Sequence, residues 1–369
     1  MRRQVTLTTI LGALLFALAA SAHAAEKDYI LTAANPNKLY LIDLKRRAVA
    51  RAYELPDPAV GPSFIEPSPD GRIAYVVANQ ARDIIGIELT SGKEVFRAHM
   101  PQVKNERVVN FGLTVSPDGA KIYSYEIPVQ AKLDRYEAQP NRIAVYAANG
   151  GLDAKAEAVF INMPRRIRLL LFSKDGQHLY ALGSNFYTLD PETGRIIAAY
   201  PLRQWQEPDA SPYDTLNFWP TPESSDVFTA VVVDGRAEVA RSYQNTDVTA
   251  LFHLDLKQGV FTVSPIKGVQ DTLFAVAASP DKRFAFGGFR TLSKIDLKKG
   301  ALVKRVDLDR SYYQFNVSRD GREVYISGAM CDIVIHDAGN LEKKAVVLLP
   351  DCADMAGAAV RVVRLDLGK

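Results

Sequence analysis

A short turn motif recurs five times along the chain, and each copy pairs a serine with an aspartate two residues later. A short apolar segment ending in an aromatic residue follows each time. The copies are Ser68–Tyr75, Ser116–Tyr123, Ser173–Tyr180, Ser279–Phe286 and Ser318–Tyr325. Such self-similarity predicts a stack of small units, because no unit could bury its apolar face alone. Four copies contain Asp-Gly, which between alternating residues predicts two antiparallel strands joined by a tight turn.

A second motif raises the count of units to seven. It is an apolar residue that is usually followed by an acid, often with a glycine and a base close behind. The seven positions are Asp43, Glu88, Tyr146, Asp190, Asp255, Asp296 and Asp337. A mean spacing of about 49 residues accommodates four short strands with their turns, which is the size of one propeller blade. The sequence therefore predicts an all-β fold, a seven-bladed β-propeller with four antiparallel strands per blade.

The two ends of the chain predict how the ring closes. Alternating segments between residues 29 and 53 have the pattern of the second, third and fourth strands of a blade without its first, and Val360–Leu365 is a lone strand pattern. A blade shared between the N- and C-termini would pair edges that otherwise stay open. We expect one propeller domain over residues 25–369, with a lengthened loop at Tyr125–Pro140 and a degenerate blade within Pro201–Ala250.

Residues 1–24 have the pattern of a cleavable signal peptide. Arg2 and Arg3 precede an apolar run, and Ala22-His23-Ala24 has the small residues of a cleavage site. We expect export to the periplasm and no membrane span after cleavage, because no other stretch approaches about 18 apolar residues. Cleavage would remove two arginines and no acid, which lowers the formal net charge from +3 to +1. Nucleic acid is therefore not a natural partner.

Motifs for autonomous chemistry are missing from this sequence. It has no Cys-x-x-Cys-His run for a c-type haem, no Gly-x-Ser-x-Gly elbow and no phosphate-binding loop. Cys331 and Cys352 could form a disulfide in an oxidising compartment, and two free thiols are the alternative. The mature histidines occupy unequal positions in their repeats; they are His99, His178, His253 and His336. We expect no catalytic residue, no metal site and no cofactor held by this chain.

Aromatic and basic residues are concentrated just before the predicted first strands, where the loops from fourth to first strand emerge. The segments are Phe64, Asn110-Phe111, Arg165-Arg166, Thr272–Phe274 and Ser311–Asn316. Exposed tyrosine, phenylalanine and arginine on one face are typical of partner-binding surfaces. For any single residue, the alternative is packing between blades.

Several segments resemble the beta subunit of quinohemoprotein amine dehydrogenase, and the similarity extends over nearly the whole mature chain. These segments are Tyr29–Leu39, Tyr125–Tyr146, Asn185–Gly194, Leu308–Gly321 and Leu341–Lys344. Beta subunits of this family are seven-bladed propellers in a periplasmic heterotrimer. The resemblance implies two partners, an alpha subunit with two c-type haems and a gamma subunit with cysteine tryptophylquinone. It also implies oxidation of a primary amine to aldehyde and ammonia by the complex.

The resemblance further implies that this chain helps to wall the amine pocket, where its residues would exclude water and orient the substrate. The candidates for this pocket or for the partner interface are Phe111, Trp219, Phe274, Tyr312, Tyr313, Phe315 and Asn316. The match is weaker between residues 201 and 250, which leaves substrate preference open.

Two other classes of function stay open. A free-standing periplasmic propeller of the YVTN-like type, acting as a binding or scaffold protein, would share the turn motifs. A self-sufficient enzyme is the second, either a propeller lactone hydrolase or the large subunit of an amine dehydrogenase that pairs with a tryptophan tryptophylquinone chain. Neighbouring genes for a dihaem cytochrome and a small cysteine-rich chain would favour the heterotrimer.

Overall fold

Seven small antiparallel sheets form the blades of a ring, which confirms the predicted seven-bladed β-propeller. The computed structural model describes residues 26–56, 64–202, 214–215, 221–233, 249–269, 273–355 and 359–367. Short 3₁₀ turns lie at Gly151–Asp153 and at Pro350–Cys352. Within the described ranges, no helix has the length and apolar character needed to cross a membrane. The predicted signal peptide lies outside these ranges.

Blade 1 joins the two ends of the chain. It consists of β1 (Lys27–Ala34), β2 (Lys38–Asp43), β3 (Ala48–Glu54) and, from the far end, β29 (Arg361–Leu365). β29 pairs antiparallel with β1, with Val362 opposite Ile30, and the strand order is β29-β1-β2-β3. The prediction of a blade shared between the two ends is therefore confirmed.

Blades 2 to 4 follow in chain order. Blade 2 contains β4 (Phe64–Pro67), β5 (Ile73–Ala78), β6 (Asp83–Glu88) and β7 (Glu94–His99). Blade 3 contains β8 (Glu106–Val115), β9 (Lys121–Ala131), β10 (Tyr136–Ala138), β11 (Arg142–Ala147) and β12 (Ala156–Ile161). Blade 4 contains β13 (Leu169–Phe172), β14 (Leu179–Leu182), β15 (Phe186–Leu189) and β16 (Ile196–Tyr200). The expected long loop at Tyr125–Pro140 instead contains the second half of β9 and the short strand β10, which pairs with it.

Blades 5 to 7 complete the ring. Blade 5 contains β17 (Asp214–Thr215), β18 (Val227–Val233), β19 (Thr249–Asp255) and β20 (Val260–Pro265). Blade 6 contains β21 (Ala275–Ala278), β22 (Phe284–Gly288), β23 (Thr291–Asp296) and β24 (Ala301–Asp307). Blade 7 contains β25 (Gln314–Val317), β26 (Glu323–Ser327), β27 (Asp332–Asp337) and β28 (Lys343–Leu348). Much of the degenerate segment 201–250 lies outside the described residues.

Each serine–aspartate motif closes the hairpin between the first and second strands of a blade. In blade 3, Ser116 Oγ donates a hydrogen bond to Asp118 Oδ1 at 2.6 Å and accepts one from Lys121 N at 2.9 Å. Gly119 has a φ of 74°, a left-handed conformation that glycine adopts without steric cost. The same serine–aspartate bond is 2.6 Å long at Ser68, Ser173, Ser279 and Ser318.

The aromatic residue that ends each copy is part of the core. Each of these side chains exposes 3% of its surface or less; they are Tyr75, Tyr123, Tyr180, Phe286 and Tyr325. The ring of Tyr123 packs edge-on against Phe172 of blade 4, with 5.0 Å between centroids. Burial of one blade's aromatic against the next supplies the apolar contact that a single blade lacks, which is the physical reason for the repeat.

The acid of the second motif lies within one residue of the end of the third strand. Asp296 Oδ1 accepts hydrogen bonds from the backbone N–H groups of Lys298 and Lys299, at 3.0 and 2.9 Å. Equivalent bonds are made by Asp190, Asp255 and Asp337. These acids hold the turn into the fourth strand, which explains their regular spacing along the chain.

A disulfide ties blade 7 to the segment that leads into β29. Cys331, between β26 and β27, is bonded to Cys352 in the second 3₁₀ turn, and their Cα atoms are 4.8 Å apart. Both thiols of the chain are therefore paired with each other. The bridge anchors the chain shortly before the strand that closes the ring.

Candidate functional site

The ring has two different faces, because the strands of every blade run alternately up and down. The connections from fourth to first strand and from second to third strand emerge on one side, which we call the loop face. The serine–aspartate turns and the turns between third and fourth strands emerge on the other side, which we call the turn face. Every residue that the sequence singled out before a first strand belongs to a connection on the loop face or to the strand that follows it.

Three aromatic rings form a partly exposed cluster on the loop face between blades 6 and 7. Phe274 and Tyr313 meet edge-on with 4.9 Å between centroids, and Phe289 lies 5.8 Å from Phe274 and 5.5 Å from Tyr313. We call these three residues the aromatic cluster. Phe274 and Tyr313 were both sequence candidates, and the ring brings them together although they belong to different blades.

Backbone hydrogen bonds hold the aromatic cluster in place. Phe274 N donates to Gly288 O at 2.8 Å, and Tyr313 N donates to Ser327 O at 3.0 Å. Tyr312 N donates to Phe289 O at 2.7 Å, which links the loop of blade 6 to the entry into blade 7. The three rings are therefore presented by fixed backbone.

Two candidates close to Tyr313 in the chain point into the core instead of joining the aromatic cluster. Tyr312 and Phe315 are each 1% exposed and belong to the apolar core between blades 6 and 7. Tyr312 Oη donates a hydrogen bond to Asp332 Oδ2 at 2.7 Å. Burial, together with this carboxylate, raises the pKa of Tyr312. Neither side chain is therefore exposed to solvent on the loop face.

Two further candidates cannot be placed at the level of their side chains. Phe111 belongs to β8, at an irregularity in its pairing with β9 between Asn110 and Gly112, and its side chain lies outside what the structure describes. Trp219 lies outside the described residues altogether. The aromatic cluster therefore rests on Phe274, Phe289 and Tyr313.

The last candidate, Asn316, is in the central channel. It is fully buried, and its Nδ2 donates hydrogen bonds to Val360 O at 2.7 Å and to Glu223 Oε2 at 3.2 Å. Its Oδ1 accepts a hydrogen bond from Val317 N at 2.8 Å. Asn316 thus connects blade 7 to the two elements that meet at the axis of the ring.

A buried ion cluster crosses this channel, and the sequence did not predict it. Arg361, which is 3% exposed, donates from Nη1 to Glu66 Oε2 at 2.6 Å and to Ile65 O at 2.9 Å. Its Nε is paired with Glu223 Oε1. Arg361 starts β29 of blade 1, Glu66 belongs to β4 of blade 2, and Glu223 precedes β18 of blade 5. We call these three residues the channel cluster.

Burial raises the pKa of Glu66 in the channel cluster, and the guanidinium of Arg361 opposes that shift. Two carboxylates share one guanidinium, so the cluster as a whole has a formal charge of −1 when both are ionised. Such an arrangement is stable only while each partner is present, because an unpaired buried charge is costly.

The channel cluster borders a cavity of about 760 Å³ that opens toward the turn face. The cavity is also lined by Thr114 of blade 3, Leu171 of blade 4 and Arg319 of blade 7. A cavity of this size lies within the range of small-molecule sites. Its wall offers hydrogen-bond donors and acceptors, and so it could receive a polar molecule. No local sequence motif predicts this site, because Arg361 and Glu66 are 295 residues apart.

The histidines lie apart from one another and from both sites. His336 is buried, with Nδ1 2.8 Å from Leu341 O, and burial lowers its pKa. His99 Nδ1 lies 2.7 Å from Asp83 Oδ1, and His253 Nδ1 lies 3.1 Å from Thr229 Oγ1. In the described part of the chain, no group of three or more histidines, cysteines or carboxylates is placed to hold a metal ion.

Comparison with known proteins supports the fold. No family model matches the chain, and no curated protein matches it. Solved structures that do match include Kuenenia stuttgartiensis hydrazine synthase, with a TM-score of 0.54 and 14% identity over 85% of this chain and 90% of that one. Another is a functionally unknown protein from Desulfotomaculum acetoxidans, with a TM-score of 0.60 and 11% identity over 91% and 99% of the two chains. At such low identity the likeness shows the fold alone.

Proposed function

We propose that this chain is the propeller subunit of a periplasmic amine dehydrogenase complex of the quinohemoprotein type, and that its loop face binds the cofactor-bearing partners. The observation that supports this most is the aromatic cluster of Phe274, Phe289 and Tyr313. Partly exposed aromatic rings on rigid backbone gain much from burial and lose little entropy, which makes them typical anchors of an interface.

The chemistry of the chain's own residues is consistent with cofactors that reside on partners. Attachment of a c-type haem needs two free thiols, whereas Cys331 and Cys352 are bonded to each other. A disulfide is also typical of a protein that functions in an oxidising compartment such as the periplasm. In the complex, the partner's quinone would supply the oxidation of the primary amine, and its haems would accept the electrons.

In this proposal the loop face has a positioning role. Phe274 and Tyr313 would form an apolar wall that excludes water from the amine pocket and orients the substrate's side chain. Phe289 would support both rings. Tyr312, Phe315 and Asn316 would act indirectly, by fixing the backbone from which Tyr313 projects.

Purification of the chain from its native source tests the proposal. We expect it to copurify with haem and quinone absorbance, and we expect Tyr313→Ala to weaken the assembly about tenfold. Ile197→Ala is a matched control, because Ile197 is an apolar residue 47% exposed on the outer strand β16. A colourless protein without partners would contradict the complex. Unchanged assembly and unchanged amine kinetics in Tyr313→Ala would remove the aromatic cluster from the model.

The channel cavity supports a second candidate function. A free-standing periplasmic propeller that binds a small molecule would place it against Arg361 and Glu66, where a cavity of about 760 Å³ is already formed. A colourless, unaccompanied chain in the purification above would favour this candidate over the subunit.

A further inference from the structure

A cleft on the loop face is lined by three arginines. It lies between blades 3 and 4, has a volume of about 480 Å³, and includes Arg165, Arg166 and Arg168 from the connection between β12 and β13. Ile127 of β9 and Ala138 of β10 add apolar surface. We call this the arginine cleft. It lies three blades away from the aromatic cluster around the ring, and so the two are separate sites.

The loop that carries these arginines is held in one conformation. Tyr125 Oη donates a hydrogen bond to Pro164 O at 2.6 Å and accepts one from Asn141 Nδ2 at 2.8 Å. Burial raises the pKa of Tyr125 to about 12, so that its hydroxyl stays a donor near neutral pH. A Cβ at Gly183 would lie 2.2 Å from Arg166 O, which shows how closely the loop packs on blade 4. The cleft is therefore preformed.

Arg165 and Arg166 have no described counter-ion. Among the residues that the structure describes, no aspartate or glutamate lines the cleft. Arg165 and Arg166 are exposed, and neither forms an ion pair with any described residue. Glu137, which precedes the lining residue Ala138, is instead engaged by Arg135 at 2.6 Å and by Lys132 at 3.5 Å.

Arg142 of blade 3, by contrast, is paired. It contacts Glu106 at 3.0 Å and Glu126 at 2.7 Å, and the side chains of all three are buried. Arg142 is thus neutralised where it serves the fold, whereas Arg165 and Arg166 have no counter-ion among the described residues. Guanidinium groups bind carboxylates through paired, charge-assisted hydrogen bonds.

We propose that the arginine cleft binds a small organic carboxylate whose apolar body lies against Ile127 and Ala138. The volume is within the range of sites for small molecules. The guanidinium groups of Arg165 and Arg166 would hold the carboxylate at the mouth of the cleft, and Ile127 and Ala138 would contact the apolar remainder of the ligand. This inference does not depend on the proposed partners, because every residue it uses belongs to this chain.

Calorimetric titration of the purified chain tests the proposal with two probes of the same shape, 4-phenylbutyrate and its neutral amide 4-phenylbutanamide. We expect the carboxylate to bind about tenfold more tightly than the amide. Affinity for the carboxylate should fall as salt is raised, because the arginines are exposed to solvent. Equal affinity for the amide, or no heat with 4-phenylbutyrate, would overturn the proposal. Inorganic phosphate binding as tightly as 4-phenylbutyrate would overturn the role of the apolar surface at Ile127 and Ala138.

Substitutions of the two exposed arginines test whether 4-phenylbutyrate binds in the arginine cleft. The double substitution of Arg165→Gln with Arg166→Gln should weaken 4-phenylbutyrate about tenfold, with thermal unfolding unchanged because both side chains are exposed. The corresponding pair of lysine substitutions should keep part of the affinity, since charge is kept and the planar fork is lost. Arg195→Gln is the matched control, an exposed arginine on the turn face of blade 4. Equal loss in the control and the double variant would overturn the assignment to this cleft.

Discussion

Ser116 shows what one side chain contributes to a turn. Its hydroxyl donates a hydrogen bond to Asp118 Oδ1 and accepts one from Lys121 N, the first N–H of β9. The hydrogen bonds that Asp118 receives from Ser116 Oγ and Ala120 N lower its pKa. A carboxyl whose pKa is lowered on folding stabilises the folded state above its ordinary pKa, and that contribution is lost as the pH falls.

We expect Ser116→Ala to lower the free energy of unfolding by about 0.5–1 kcal/mol at pH 7, because the turn is largely solvent-exposed. The deficit should shrink in acid, where Asp118 is protonated and the charge-assisted part of the bond is lost. Urea unfolding at pH 7 and near pH 3 would measure both effects. Asp118→Asn provides a double-mutant cycle. A deficit that does not change with pH would contradict the role assigned to the aspartate.

At the scale of the element, β29 completes a blade with a strand from the far end of the chain. It pairs with β1 through five residues, Arg361 to Leu365, and Val362 and Val363 are buried in the core that blade 1 shares with its neighbours. The disulfide between Cys331 and Cys352 anchors the chain before this strand. Without β29, the N–H and C=O groups of β1 would be left as an open edge at the channel.

A chain that ends at residue 360 should therefore fail to form the closed ring. We expect loss of cooperative unfolding and a tendency to self-associate through the open edge of β1. Size-exclusion chromatography and thermal unfolding would show this. Removal of residues 368 and 369 is the control, since it leaves β29 complete. A monomeric, cooperatively folding truncation would mean that β29 is dispensable.

For the whole molecule, the channel cluster joins three blades across the axis. Arg361 forms ion pairs with Glu66 of blade 2 and Glu223 of blade 5, although 138 residues separate it from the latter. Burial raises the pKa of Glu66. A carboxyl whose pKa is raised on folding contributes less to stability as the pH increases above its ordinary value. Arg361 limits that loss, because it stabilises the ionised form.

We predict that Arg361→Met lowers the free energy of unfolding by about 3–5 kcal/mol at pH 8, where two carboxylates would be left unpaired. The loss should be smaller near pH 5, since Glu66 can then hold its proton. Denaturant unfolding of the full chain at both pH values is the measurement.

Arg364→Met is the control within the same strand, because Arg364 is half-exposed and pairs with Asp28 at 2.8 Å. It should cost no more than about 1 kcal/mol. Adding Glu66→Gln and Glu223→Gln should restore part of the stability lost in Arg361→Met. Equal losses at Arg361 and Arg364 would contradict a special role for the channel cluster.

The candidate site was only partly predictable, and two adjacent tyrosines show why. Tyr312 and Tyr313 have the same side chain and the same local pattern, yet one is buried against Asp332 and the other meets Phe274 at the surface. Which of the two is directed outward depends on the loop of blade 6, through the bond from Tyr312 N to Phe289 O. Phe289 itself follows β22 directly, and its position in a connection on the loop face was the signal that could have identified it.

The sequence by itself determined the seven blades, the turn positions and the blade shared by the two ends. These features depend on local patterns, such as Ser116 with Asp118, that repeat at nearly regular spacing. Only the tertiary structure decided which loop aromatics form a surface and that Arg361 meets Glu66 and Glu223. The physical reason is the closed ring, which brings side chains from distant blades to one axis or one rim without any short-range motif.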